Sequence, residues 1–222
     1  MQIYAVNASP RKSKNTATLL QHALNGALAA AGPGARAEML HLADYRFGGC
    51  RSCFECKRLG GKSYGRCAVR DELTPVLEKL SQADAVAFGS PIYFGSVTAQ
   101  MRALEERLLF PYYVYAENGP FLAPRPVHTA FIYTMNVKEE TMRAWGYPEH
   151  LGLTESYVAR IFGGRPESLY ACYTYQFDDY GKYKCDKFPE PEKRRWRDEH
   201  FPEDCRKAEA MGARLAATGE KP

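Results

Sequence analysis

Apolar residues along the chain form short continuous runs, separated by longer stretches in which they recur at the period of a helix. Short continuous runs are typical of strands that are buried on both faces of a sheet. They predict five strands, at residues 3–6, 37–42, 84–89, 127–133 and 168–173.

The intervening stretches predict helices, and the first of them stops at Gly32-Pro33-Gly34, a typical helix end. The predicted helices cover residues 16–31, 72–82, 97–110, 151–162 and 203–217. Strands that alternate with helices form right-handed βαβ units, so the pattern predicts an α/β fold with a parallel sheet covered on both faces. The ligand of such a domain binds at the carboxyl ends of the strands.

Composition narrows the class of protein. The chain has 222 residues, of which 45% are hydrophobic and 25% charged, as in a globular protein. We expect a single domain over residues 1–222 with an elaborated C-terminal segment from about residue 146 to 222. The net charge of +4 is too small to favour a nucleic acid partner. Without a long apolar stretch or a basic N-terminal region, we expect no membrane span, no signal peptide and a cytoplasmic location.

The loop after the first strand, residues 9–16, is rich in hydroxyl and amide side chains and carries three cations. It ends where the first helix begins, and the free N–H groups and dipole of a helix N-terminus attract a phosphate. This composition favours phosphate binding. The alternative is an ordinary capped helix start behind a solvated basic loop.

The loop after the third strand, residues 89–96, combines one proline and two glycines with the rings of Tyr93 and Phe94. A tight backbone with neighbouring aromatic rings suits a flat heteroaromatic ligand, which needs a stacking surface and backbone donors. The alternative is a plain turn whose aromatic rings pack inward.

These two loops carry a family resemblance. Ser9-Pro-Arg-x-Ser-x-Asn-Thr16, Gly89-Ser-Pro-Ile-Tyr-Phe-Gly95 and the following Ala99-Gln-Met-Arg-Ala resemble the NAD(P)H-dependent FMN reductases of the flavodoxin-like superfamily. The resemblance covers about residues 1–135. It implies a flavodoxin-like three-layer sandwich with a five-stranded parallel sheet of strand order 2-1-3-4-5.

The resemblance also assigns cofactor-binding residues, one group to each of three loops. The FMN phosphate would be held by Ser9, Arg11, Ser13, Asn15 and Thr16. The isoalloxazine ring would be bordered by Pro91, Ile92, Tyr93, Phe94 and Gly95. Thr134 and Asn136, after the fourth strand, would complete the site. No catalytic side chain is predicted, because a flavin accepts hydride without a protein acid or base.

Four of the seven cysteines lie close together, as Cys50-x2-Cys53-x2-Cys56 followed by Cys67. The first three have the compact spacing that binds an iron–sulfur cluster, and this part of the chain resembles the iron–sulfur flavoproteins. Ten residues separate Cys56 from Cys67, more than in those proteins. We favour reduced thiols without metal in a loop over the flavin edge, with a [4Fe–4S] cluster on the four cysteines as the alternative.

The resemblance implies an FMN-dependent oxidoreductase that takes hydride from NAD(P)H as co-substrate and reduces a small acceptor such as a quinone. The alternative is an electron-transfer flavoprotein without its own turnover, with or without the [4Fe–4S] cluster. Such carriers typically have acidic surfaces, whereas this chain has a net positive charge. The family also implies a homodimer or homotetramer, for which the aromatic stretch at residues 110–115 and the long C-terminal segment are the candidate contacts.

Overall fold

The computed structural model describes residues 1–117 and 121–217. Its single sheet has five parallel strands in the order β2-β1-β3-β4-β5, which confirms the predicted strand order and the flavodoxin-like fold. The strands are β1 (Gln2–Asn7), β2 (Arg36–His41), β3 (Ala85–Pro91), β4 (His128–Thr134) and β5 (Glu167–Ala171).

In the described part of the chain, six α-helices connect and cover the strands. They are α1 (Asn15–Ala31), α2 (Thr74–Ser81), α3 (Ala99–Leu109), α4 (Glu139–Ala144), α5 (Tyr147–Phe162) and α6 (Glu190–Ala217). None of those in residues 1–117 and 121–217 has the length and apolar character needed to cross a bilayer.

The last helix differs most from the prediction, since it begins at Glu190 instead of residue 203. Its first three turns are densely charged and carry no apolar period, and Pro202 lies inside the helix, where proline normally indicates an end. The α4 helix was not predicted, because it has six residues and buries only Met142. Helix signals that depend on an apolar face fail where a helix has little buried surface.

Side chains alternate across β1, as expected for a strand between two helical layers. Ile3 and Ala5 pack with α1 and α6 on one face of the sheet, and Val6 packs with α2, α3 and α5 on the other. The C-terminal helix is therefore part of one of the two layers. The organisation of residues 1–222 as one domain with an elaborated end stays a prediction.

The α1 and α6 helices approach to backbone contact at two glycines. A Cβ atom at Gly26 would lie 1.9 Å from the carbonyl oxygen of Glu209, and one at Gly212 would lie 1.8 Å from that of Ala23. Real Cβ atoms do not come so close to other atoms. Glycine at both positions is thus a condition for seating α6 on the sheet.

We predict that Gly212→Ala lowers the free energy of unfolding by about 3 kcal/mol, because the added methyl group must push two backbones apart. The matched control is Gly152→Ala in α5, where a Cβ atom would meet nothing within 4 Å. Relief of glycine's backbone entropy there should raise stability by about 0.5–1 kcal/mol. Urea unfolding followed by circular dichroism measures both, and equal stability of the two variants would contradict the packing argument.

Candidate functional site

Three loops meet at one edge of the sheet because β1, β3 and β4 are parallel neighbours. Gly89 of β3 lies opposite Asn7, the last residue of β1, and Pro91 lies opposite Thr134, the last residue of β4. The loops that follow these strands bring together the residues that the family resemblance assigns to the FMN site. They do so at the edge where doubly wound sheets bind their ligands.

The first loop is shaped by a chain of side-chain to backbone hydrogen bonds. Asn7 Oδ1 accepts from the Ser9 N–H at 3.0 Å, and Ser9 Oγ accepts from the Arg11 N–H at 3.1 Å. Ser9 and Thr16 are buried, whereas Arg11 and Ser13 are exposed. Within the described residues no side chain caps the start of α1. The first-turn N–H groups of that helix are therefore available to an anion.

Asn7 was missed by the sequence interpretation, although it organises this loop. It is fully buried, and its Nδ2 lies 3.0 Å from His41 Nδ1 of β2. Burial and then the positive charge of Lys12 lower the pKa of His41, which favours the neutral imidazole that can accept from an amide. The sequence feature that could have indicated this role of Asn7 is an asparagine at the end of an otherwise apolar strand.

The second loop exposes its aromatic rings. The Tyr93 N–H donates to the Ser96 carbonyl at 2.8 Å, and the Ser96 N–H donates back to Tyr93 at 3.1 Å. Between them Phe94 and Gly95 both have positive φ, at 51° and 79°, a combination typical of a tight type I′ turn. Tyr93 is half exposed and Phe94 fully exposed. The alternative of rings packed inward is therefore wrong for these two residues.

Direct contacts join the three loops to one another. Thr16 Oγ1 and Thr134 Oγ1 are 2.8 Å apart in a buried hydrogen bond, which links the start of α1 to the end of β4. The Ile92 N–H donates to the Thr134 carbonyl at 2.9 Å. Asn136 Oδ1 accepts from Lys193 Nζ of α6 at 2.7 Å. The loops thus form one connected unit that also includes the C-terminal helix.

A segment after β5, residues 172–178, lies against the first loop and was not predicted there. Asn15 Nδ2 donates to the Tyr175 carbonyl at 2.8 Å, Arg11 donates to the carbonyl of Gln176, and Lys14 pairs with Asp178. A cleft of about 580 Å³ lies between this segment, the first turn of α1 and the charged part of α6. No sequence motif marks these contacts, because they join residues about 160 positions apart.

The four clustered cysteines do not converge on one point. Burial raises the pKa of Cys56; Lys57 opposes this, and the nearby Cys53 and Cys50 add to the rise, so these three cysteines are neighbours. Cys67 instead lies beside the guanidinium of Arg107. In residues 1–117 and 121–217 no three Cys, His, Asp or Glu side chains are placed to hold a metal ion. This arrangement does not fit a four-thiolate cluster.

The cysteine-bearing loop is anchored to α3 by a buried arginine. Arg107 is 1% exposed and donates to both carboxylate oxygens of Asp71, at 2.6 and 3.0 Å. It also donates to the carbonyls of Val69 and Gly48, at 3.1 and 3.2 Å. Burial alone would raise the pKa of Asp71, but the hydrogen bonds and charge of Arg107 outweigh it and lower the pKa.

A second anchor binds the middle of the same loop. The ammonium group of Lys57 donates to the carbonyls of Phe110 and Tyr113, just past the C-terminal end of α3, and lies 4.4 Å from the centre of the Phe110 ring. Burial lowers the pKa of Lys57, although the neighbouring Cys56 and Cys50 oppose this. A cation suits this place because the carbonyls at a helix C-terminus carry partial negative charge.

We predict that Asp71→Asn lowers the free energy of unfolding at pH 7 by about 3 kcal/mol, the lower end of the range for a broken buried ion pair. The carboxylate is 20% exposed, which limits the loss. Because folding lowers the pKa of Asp71, the wild type should lose this stability as the pH falls below about 4.

Urea unfolding between pH 2 and 7 measures this dependence, and the Asp71→Asn profile should be flatter at the acid end. The control is Asp44→Asn, whose ion pair with Lys12 is half exposed and contributes less than about 1 kcal/mol. A loss no larger for Asp71→Asn than for Asp44→Asn would contradict the anchoring role of Arg107.

The strand order and the three loops at one edge of the sheet define a flavodoxin-like domain. The family model for NADPH-dependent FMN reductase matches residues 1–128, and the chain belongs to this family. An iron–sulfur flavoprotein of Methanocaldococcus jannaschii is 36% identical over 107 residues, which are 48% of this chain and 51% of that protein. One from Archaeoglobus fulgidus is 37% identical over 107 residues, 48% of each chain. The chain thus spans about half the length of the curated relatives it matches.

Solved structures extend the similarity of fold to almost the whole chain. An NAD(P)H:quinone oxidoreductase from Methanothermobacter marburgensis aligns over 97% of this chain and 98% of its own with a TM-score of 0.69 at 17% identity. An FMN-dependent NADH-azoreductase from Bacillus anthracis aligns over 97% of this chain and 100% of its own, with a TM-score of 0.67 at 13% identity. At such identities the alignments establish the fold alone.

Proposed function

We propose that the protein is an FMN-dependent oxidoreductase that takes hydride from NAD(P)H and reduces a small acceptor such as a quinone. One observation carries the proposal. At the carboxyl ends of β1 and β3, a loop that leads to the free N–H groups of a helix N-terminus lies beside a turn with exposed aromatic rings. FMN needs both features, since it has a phosphate at one end and a flat ring at the other. Membership of the family supports the cofactor.

The side chains and amides present fit FMN. The first-turn N–H groups of α1 suit the phosphate, together with Ser9, Arg11, Ser13, Asn15 and Thr16. The turn at Pro91, Ile92, Tyr93, Phe94 and Gly95 offers exposed rings and main-chain N–H groups for the isoalloxazine. Thr134 and Asn136 border it from the third loop. Arg11 and Asn15 would exchange their contacts with residues 175 and 176 for contacts with the phosphate.

When bound, the flavin supplies the hydride and electron chemistry. The chain's own residues then need only bind the cofactor, orient the donor and acceptor, and exclude side reactions. The type I′ turn holds the Phe94 ring away from the core, which leaves a surface on which a donor and an acceptor can stack in turn. The buried Thr16–Thr134 bond keeps the first and third loops at a constant separation. None of these roles requires a proton-transferring side chain.

The names of related proteins support a small acceptor. Structural neighbours include a protein named for the reduction of quinones and one named as an azoreductase. Sequence relatives are named iron–sulfur flavoproteins. That name fits the alternative, an electron-transfer flavoprotein with a cluster. The separation of Cys67 from the other three thiols favours the metal-free reductase. Free thiols also suit the reducing cytoplasm, where we propose that the protein acts.

We predict that anaerobically purified protein, reconstituted with FMN, shows a plain flavin spectrum that bleaches when NADPH is added. A flavin that binds but stays oxidised with NADPH and with NADH would contradict the reductase and favour the carrier. Broad absorbance beneath the flavin bands before any reductant, with iron by elemental analysis, would assign the cysteines to a cluster. A quinone should restore the flavin absorbance of the reduced protein.

The same preparation tests the phosphate site. Arg11→Ala should weaken FMN binding about tenfold or more, because a charge-assisted hydrogen bond to phosphate contributes about 1.5–3 kcal/mol. Arg36→Ala is the matched control, since it removes the same charge from an exposed position at the opposite edge of the sheet. Equal flavin affinity of the two variants would contradict the assignment of the first loop.

We also propose that the chain forms a homodimer or homotetramer through one apolar surface. This α3–α5 surface consists of Phe54, Tyr115, Leu153 and Tyr157, all exposed, around a cavity of about 620 Å³ between α3 and α5. Burial raises the pKa of Glu105 on the cavity wall to about 7, although Arg102 opposes this. Arg102 and Glu106 also line this cavity. The exposed rings around it form the kind of apolar patch that subunit contacts use.

We predict that Leu153→Glu shifts the protein from oligomer to monomer in light scattering, because the new carboxylate would be buried unpaired in the contact. Leu59→Glu is the control: Leu59 is even more exposed, at 83% against 63%, but lies in the cysteine-bearing loop outside this surface. A wild type that is monomeric with FMN bound would contradict the proposal.

A further inference from the structure

Lys193 of α6 is buried without a carboxylate partner. None of its side chain reaches solvent, and across residues 1–117 and 121–217 its ammonium group forms no ion pair within 4.0 Å. It lies 3.9 Å from the centre of the Tyr173 ring and 5.7 Å from that of Phe188. Its polar contact is the hydrogen bond to Asn136 Oδ1, at 2.7 Å.

Such a site is costly, because a buried ammonium group loses its hydration and is normally paired. Two aromatic faces and one amide oxygen offset only part of that loss. A methionine or leucine would fill the same space without the cost. A lysine here therefore points to a role other than folding stability.

The chemistry of the contact determines the orientation of the amide. An ammonium group has three donors and no acceptor, so the Asn136 atom that it meets must be the carboxamide oxygen. The NH₂ group of Asn136 is consequently directed elsewhere as a donor. Asn136 lies two residues beyond the end of β4, in the third of the loops that meet at the candidate site.

The backbone of this loop is also fixed. The Tyr173 N–H donates to the Val137 carbonyl at 2.8 Å, and the Thr174 N–H donates to the Met135 carbonyl at 3.0 Å. Asn136 is thus held through both neighbouring residues and through its side chain. What remains free of these restraints is the NH₂ group of Asn136, a half-buried residue.

We propose that Lys193 is a positioning residue for the flavin site: it holds the Asn136 carboxamide with its NH₂ group as a hydrogen-bond donor to an acceptor atom of the isoalloxazine. The inference rests on the proposed function, because it requires FMN on the three loops. It adds a residue 57 positions from Asn136 in sequence to the determinants of flavin affinity.

Charged and titratable groups face Lys193 from each element around it. Glu192 lies beside it on α6, Cys185 and Tyr173 approach from the segment after β5, and Lys138 of the third loop pairs with Glu192 at 2.6 Å. Burial lowers the pKa of Lys193 to about 8, although Cys185 and Glu192 oppose this. Deprotonation above that pH weakens the donor that orients Asn136.

The effect on stability has the opposite sign. Because the pKa of Lys193 is lower in the folded protein than in the unfolded chain, protonated Lys193 reduces the stability of the apo-protein below about pH 8. This penalty is relieved as the pH rises towards about 10.5, the ordinary pKa of lysine. Removing the charge should therefore leave the apo-protein at least as stable at pH 7.

The test measures FMN dissociation constants by fluorescence quenching and apo-protein melting temperatures for Lys193→Met. We expect FMN binding to weaken about tenfold, the usual effect of losing one oriented donor, with no fall in melting temperature at pH 7. Lys193→Gln, which keeps a donor without the charge, should restore part of the affinity. Lys187→Met is the matched control, an exposed cation near the Phe188 ring that should change neither quantity.

Asn136→Ala provides the second arm of the test and leaves Lys193 beside the Tyr173 and Phe188 rings. It should weaken FMN binding to the same extent, and the Lys193→Met/Asn136→Ala double variant should be no weaker than either single variant, since both remove one interaction. Between pH 6 and 10 wild-type affinity should fall across about pH 8, with no such step in Lys193→Met or Asn136→Ala.

The outcomes separate the inference from the function on which it rests. A wild type that does not bind FMN at any pH would overturn both. In another outcome the wild type binds FMN, while Lys193→Met or Asn136→Ala binds it with the same affinity and pH dependence as the wild type. That result would overturn the positioning role and leave the reductase proposal intact. Additive losses in the double variant would mean that Lys193 acts without Asn136, which also overturns it.

Discussion

The parallel alignment of β1, β3 and β4 is the constraint on which the rest of the site depends. Parallel neighbours end at the same edge, so the three following loops must meet there whatever their sequences are. Hydrogen bonds then convert proximity into a defined shape: Asn7 orders the first loop, and the Thr16–Thr134 bond joins it to the third. The second loop stays exposed at its turn, where it carries the aromatic rings.

The C-terminal helix contacts the third loop of the candidate site. Its second half can lie on α1 because Gly26 and Gly212 allow the two backbones to touch. Its first half then places Lys193 against Asn136, and the segment before it lies along the first loop at Asn15. Packing on one face of the sheet thereby controls polar geometry at the edge. The buried Lys193 is a local cost in stability, which fits the positioning role that we propose for it.

The cysteine-bearing loop depends on a different kind of anchor. It lacks regular structure apart from a short 3₁₀ turn at Glu55–Lys57. Arg107 of α3 nevertheless binds backbone carbonyls of the loop, and the side chain of Lys57 in the loop binds carbonyls just past the end of α3. These cations hold Cys56 and Cys67 in separate surroundings, one buried near its neighbours and one beside a guanidinium. In a motif that by spacing alone resembles a cluster site, the anchors thus give Cys67 different surroundings from the other three cysteines.

The sequence by itself determined the strands, their parallel direction and the two loops with recognisable chemistry, because these depend on the local apolar period and on residues adjacent in the chain. The strand order was implied by the family resemblance that those two loops carry. It could indicate Ser9 and Phe94 as neighbours of one ligand, since strand ends in an α/β sheet share an edge. It could not indicate Lys193, the start of α6 at Glu190 or the partner of Cys67. Those features follow from contacts between residues far apart in sequence, and only tertiary packing decides which distant backbone groups, rings and amides surround a given side chain.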